Sequence, residues 1–63
     1  ANPQGNFYWT NADYQQGWAH FQAEKWKEAL EAFKKAQKVF PKEEIIAQAI
    51  WLCEVFLGNY SLD

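Results

Sequence analysis

The chain holds one cysteine, one histidine, three glycines and no methionine. One thiol permits no disulfide within the chain. One imidazole, one thiol and scattered carboxylates at no ligand spacing do not supply the three convergent ligands of a metal site. No metal and no other cofactor is expected. Gly5, Gly17 and Gly58 stand far apart, so there is no glycine-rich phosphate loop. A thiol–imidazole pair could come only from Cys53 and His20. Cys53 lies in an apolar stretch with no cation beside it to lower its pKa, and His20 falls opposite an apolar stripe. Cys53 therefore reads as a small buried hydrophobe, no catalytic residue is assigned, and the chain is not expected to be an enzyme.

Positive charge is also scarce. The formal charge is −2 and the pI near 5.2, which argues against nucleic acid and against an anionic membrane surface, since both need a concentrated positive field. Lys34, Lys35 and Lys38 form a short basic run, but a place in the last turns of a helix explains them electrostatically. No apolar run approaches the roughly 20 residues of a membrane span, and no charged-then-apolar leader is present. No membrane insertion is expected, and the reading is a soluble chain of unknown compartment, whose single cysteine fits a reducing, cytoplasmic setting and is compatible with an oxidising one as well. Without methionine it reads as a processed mature form or a piece of something longer.

A chain of 63 residues is one domain, and at this size it buries only roughly 60% of its unfolded surface. Lacking disulfide and metal staples, it must gain stability from dense aromatic packing or from additional protein. Four Trp, three Tyr and five Phe are a heavy load for so small an interior. Some of them are expected to face a partner.

The clearest segment is Trp26 to Pro41. Trp26, Ala29, Leu30, Phe33, Ala36 and Phe40 recur at steps of three and four, with Lys and Glu between them, which predicts an amphipathic helix over 26–40. Acids come first and lysines last, as the helix dipole favours, and Pro41 stops it. Ala29, Ala32 and Ala36 leave room for neighbours on either side. Upstream, residues 1–9 read as an irregular arm. Thr10 is the expected N-cap of a helix over 11–23, with Asp13 as a partial capping-box partner and Trp9 stapled on Tyr14. Its stripe is Tyr14, Gly17, Trp18 and Phe21. Gly17 costs roughly 1 kcal/mol inside a helix, so its place on the stripe predicts a close crossing by the second helix. The short link at Glu24 and Lys25 makes the two antiparallel. A third helix is expected over 43–57, stopped by Gly58, and it is apolar around almost its whole circumference, interrupted only by Gln48 and Glu54. Two companion helices cannot cover all of it.

An offset of about 34 residues places Trp26 over Tyr60 and Lys25 over Asn59, a period that marks stacked helix pairs. Gly17, Trp26, Ala29, Phe33, Ala36 and Pro41 have the types and order of a tetratricopeptide repeat, and the chain resembles that family. The resemblance covers one full repeat over Thr10 to about Glu43 and half of a second, with Gly58, Asn59 and Tyr60 as its interhelical turn. It departs at Asp13 and Gln16, where large apolar residues are usual, so the seam is expected to be rebuilt around Tyr14 and Trp18. The fold implied is all-α, an antiparallel hairpin plus a third helix within residues 10–63.

The function this resemblance implies is protein–protein docking on a concave face. By position that face carries Tyr14, Trp18, Phe21 and Gln22, then Gln48, Leu52 and Val55, flanked by Asn11 and Ile45. The family's carboxylate clamp needs Lys, Arg and Asn there, and Tyr14 and Trp18 do not supply them. An aromatic, nearly uncharged face suits an apolar or proline-containing peptide, a helix, or further repeats. The same aromatic residues could instead be core. The alternative function is self-association, with the third helix of a second copy covering the open side in a homodimer.

Overall fold

The computed structural model describes residues 7–58, and among them there are three α-helices and no strand. A short 3₁₀ turn, Tyr8–Thr10, leads into α1 (Ala12–Gln22), followed by α2 (Trp26–Val39) and α3 (Glu44–Leu57). The links are too short for anything but reversal, so α2 runs back along α1 and α3 back along α2. This is the all-α hairpin plus third helix expected above. Residues 1–6 of the expected arm, and Asn59 and Tyr60 of the expected second turn, lie outside the described residues.

The start of α1 differs from expectation by one residue. Asn11, not Thr10, is the N-cap: its Oδ1 accepts from the Tyr14 backbone N–H at 3.0 Å. The Thr10 hydroxyl is occupied elsewhere, donating to the Phe7 carbonyl at 2.8 Å and closing the 3₁₀ turn. That turn also moves the staple. Tyr8, not Trp9, packs against Tyr14, ring centres 5.2 Å apart, while Trp9 is half exposed. The Trp9 carbonyl accepts from the Gln15 side-chain amide at 3.0 Å, so the turn is fastened to the helix from two directions.

The α1 C-terminus ends in a Schellman pattern. The N–H of Lys25 bonds the His20 carbonyl at 2.8 Å, and the N–H of Glu24 bonds the Phe21 carbonyl at 3.0 Å. This requires the residue between to be left-handed, and Glu24 has φ 63°. A non-glycine residue there is held at a cost of about 1–2 kcal/mol.

Helix α2 ends at Val39, one residue before the sequence pattern does. Proline disfavours the helical region for the residue before it, and Phe40 is at φ −125°, ψ 68°. Gly58 closes α3 with φ 81°, the left-handed stop expected of it.

The core is small and centred on α2. Phe33 is fully buried, with Ala29, Ala36, Ile46, Ala49 and Cys53 around it and Tyr14 at the α1 side. Gly17 is where α1 makes way for Phe33: a Cβ added there would stand 2.6 Å from the Phe33 Cε1. The sequence expectation of a close crossing at this glycine is met, and the neighbour is the second helix. The alanines of α2 then let α3 approach on its other side.

Candidate interaction surface

The aromatic residues form a chain of edge-on contacts. Tyr8 meets Tyr14; Tyr14 meets Trp18 at 6.2 Å and Phe33 at 6.0 Å; Trp18 meets Phe21 at 5.2 Å. Phe21 continues to Trp26 at 4.9 Å and to Phe56 at 5.8 Å, and Trp26 and Phe56 lie face to face at 4.3 Å. Edge-to-face pairs of this kind add about 0.5–1.5 kcal/mol beyond their buried area. The seam around Tyr14 and Trp18 that replaces the apolar residues absent at Asp13 and Gln16 is therefore present.

The chain passes from inside to outside as it runs toward the α1–α2 turn. Tyr14 is 9% exposed and belongs to the core, so the expected place for it on an open docking face is corrected: its ring is spent on Tyr8, Trp18 and Phe33. Trp18 and Phe21 are half-buried against that core. Gln22 and Gln48 are exposed, and Leu52 and Val55 are half-buried on α3. Phe56 is 53% exposed despite its stack on Trp26.

Nothing in the sequence pattern marks Trp26 and Phe56 as docking residues. Phe56 joins α1 only through tertiary contact, and no helical period connects it to Phe21. The spacing of Trp26 one turn past Phe21 across a tight link was the available signal for that half of the contact.

Charge is unevenly placed. Lys27, Lys34, Lys35 and Lys38 are exposed on α2, whereas α3 carries Glu44 and Glu54 and no basic residue. Cys53, fully buried beneath α3, has its thiol pKa pushed up by burial and by the adjacent Glu54 carboxylate. Such a thiol is a poor nucleophile at neutral pH. Among the described residues no cluster of His, Cys, Asp and Glu could hold a metal ion, and no helix is long and apolar enough to cross a membrane.

A family model described as tetratricopeptide repeat matches residues 14–43. The chain carries a tetratricopeptide repeat. The match runs from Tyr14 to Glu43 and takes in the Gly17–Phe33 crossing, the turn at Glu24 and the proline stop at Pro41. No curated protein and no solved structure matches the chain. Tetratricopeptide repeats generally mediate protein–protein interaction or assembly, and in this one Gly17, Phe33 and Ala36 are fully used in holding the two helices of the repeat together.

Proposed function

We propose that the chain is a non-catalytic docking module that receives a helix or an apolar segment of a partner protein across α1 and α3. The observation that carries this reading is the outward passage of the aromatic chain: Trp18 and Phe21 half-buried, then Phe56 more than half exposed, beside Leu52 and Val55. Large apolar side chains left in water forgo about 1.5–3 kcal/mol each. A surface that collects several of them on two adjoining helices is matched to a partner that covers them together, with central aromatic residues as the anchors. In this reading α3 is the first helix of a second unit and extends the face begun by α1. Gln22 and Gln48 supply neutral polar contacts at its edge.

The test is titration of the chain with apolar helical and proline-containing peptides, followed by tryptophan fluorescence. Trp18→Ala and Phe56→Ser should each weaken binding while circular dichroism stays that of a helical protein, and Cys53→Ser should leave binding unchanged. Failure of every helix and peptide to bind, together with the absence of self-association, would remove the docking reading.

A further inference from the structure

We propose that the N-terminal turn Tyr8–Thr10 is a displaceable strap that closes one end of the α1 face with the chain's own Tyr8 ring, so that a partner must lift it to reach Tyr14. The inference rests on the docking function above. Tyr14, Trp18 and Phe21 follow one another at steps of four and three, which sets them along one line of α1. Tyr14 and Trp18 both lean on Phe33 of α2, at 6.0 and 5.0 Å, yet Trp18 stays half-buried while Tyr14 is 9% exposed. The ring that meets Tyr14 and not Trp18 is Tyr8, at 5.2 Å.

Helix capping does not call for this contact. A hydrophobic staple joins the residue before the cap to the fourth residue of the helix, and with Asn11 as the cap those positions are Thr10 and Gln15, both polar. Tyr8 lies two residues further upstream. It reaches Tyr14 because the 3₁₀ turn folds the chain back, with the N–H of Thr10 on the Phe7 carbonyl and the N–H of Asn11 on the Tyr8 carbonyl, both at 3.0 Å.

The turn is lightly held, and at the surface. None of its residues is buried, and Phe7 and Trp9 on either side of Tyr8 are half exposed. The bonds from the Thr10 hydroxyl to the Phe7 carbonyl and from the Gln15 amide to the Trp9 carbonyl are both exposed, so water can replace either partner. Among the described residues, Tyr8 on Tyr14 is the turn's one ring contact with a helix. A segment with few buried contacts and solvent-exposed hydrogen bonds opens locally while the rest of the fold stands. Tyr8 is thereby an intramolecular stand-in for an apolar side chain of a partner, and its release lengthens the line of Trp18 and Phe21 by Tyr14. A face that is open for only a fraction of the time binds more weakly by that fraction. The chain itself limits docking.

The test uses two variants of the full chain. Tyr8→Ala removes the ring, whereas Gln15→Ala removes only the amide on the Trp9 carbonyl, from an exposed position where alanine favours the helix. Nitration by tetranitromethane, located by mass spectrometry, reads the cover on Tyr14 without any partner. Tyr14 should react at least about fivefold faster in both variants than in the native chain, with circular dichroism unchanged. Titration with a Leu- and Ala-rich helical peptide and with an apolar proline-containing peptide, followed by fluorescence anisotropy, reads the face. The peptide that binds the native chain should bind both variants at least about fivefold more tightly. Where Tyr8→Ala lowers the helix content, Gln15→Ala carries the test. Unchanged nitration of Tyr14 overturns the inference and leaves the docking function standing. So does binding that is unchanged or weaker once Tyr14 is uncovered, since Tyr8 would then not stand in a partner's way. A Tyr14 uncovered in both variants, with neither peptide bound by them or by the native chain, removes the docking function itself and the inference with it.

Discussion

In α2 the inward residues are Ala29, Ala32, Phe33 and Ala36, and every Lys and Glu of the helix stays in water. α3 has the same length, 14 residues, and buries Ile46, Ala49 and Cys53 while Ile45 and Phe56 remain exposed. The difference follows from the number of neighbours each has. α2 lies between α1 and α3, so its small residues permit approach from two sides and its one large buried residue fills the gap opened by Gly17. α3 is covered from one side among the described residues, yet its sequence is apolar on nearly all sides. Amphipathicity thus reports a helix whose surroundings are complete within the chain. In α3 that amphipathicity is missing, and apolar side chains stay in water on the side that the described residues leave open.

The comparison breaks most visibly at two phenylalanines. Phe33→Ala should cost about 3–5 kcal/mol, the range for emptying a buried aromatic site, which in a domain of this size is most of the total stability. Phe56→Ala, at a ring 53% exposed, should cost about 1 kcal/mol on the same area reasoning. Urea denaturation of the two variants checks both values. Equal losses would mean that α3 is as fully integrated as α2, and the contrast would fail.

Gly17→Ala sharpens the α2 side. Its Cβ would stand 2.6–2.8 Å from three carbons of the Phe33 ring, and that ring is closed in by Tyr14 and Trp18. Overpacking of this kind costs about 1–3 kcal/mol, against the gain of roughly 1 kcal/mol that alanine brings in an exposed helix. A melting temperature unchanged or raised by Gly17→Ala would show that Phe33 can move aside, and the crossing would then not depend on glycine.

Much of this arrangement was legible in the residues because it is set by local rules. The period of Trp26 to Phe40, the stop at Pro41, the left-handed Gly58 and the tight crossing at Gly17 each carry their own signature. The sequence does not separate Thr10 from Asn11 as the cap, because they are adjacent and both competent. Only the preceding 3₁₀ turn, which engages the Thr10 hydroxyl with the Phe7 carbonyl, decides between them. The same turn puts Tyr8 where Trp9 was expected. The left-handed residue at the first turn was hidden because it is Glu24 and not glycine. In the face expected to dock a partner, helical period is enough to set Trp18 beside Phe21 and Leu52 beside Val55, whereas Tyr14 reads as core or surface equally well until its neighbours are known. The meeting of Phe21, Trp26 and Phe56 depends on three helices at once and has no sequence signature.

The two ends of α1 give a smaller test. Asn11→Ala removes the acceptor for the Tyr14 N–H and should cost about 1 kcal/mol. Glu24→Gly should act in the opposite direction, relieving the left-handed strain at φ 63° for a net gain of about 0.5–1 kcal/mol after the extra backbone entropy of glycine. Thermal unfolding measures both. A loss on Glu24→Gly would show that the side chain makes an interaction worth more than the strain.

The smallest effect lies under α3, at Cys53. Its folded thiol is raised above the ordinary value by burial and by Glu54, so between the unfolded and folded pKa the native chain holds a proton that the unfolded chain has released. Stability from this group is complete below the ordinary thiol range and declines as pH rises through it toward the folded value. The side of α3 against α2 should therefore weaken in mild alkali, whereas the open side, with no thiol, should not respond through this group. Tyrosine and lysine titrate nearby in pH, so the quantity to follow is the stability difference between the native chain and Cys53→Ala. That difference should shrink from pH 8 to about pH 10. A difference constant over this interval would mean that water reaches the thiol, and that α3 is no better sealed on its covered side than on its open one.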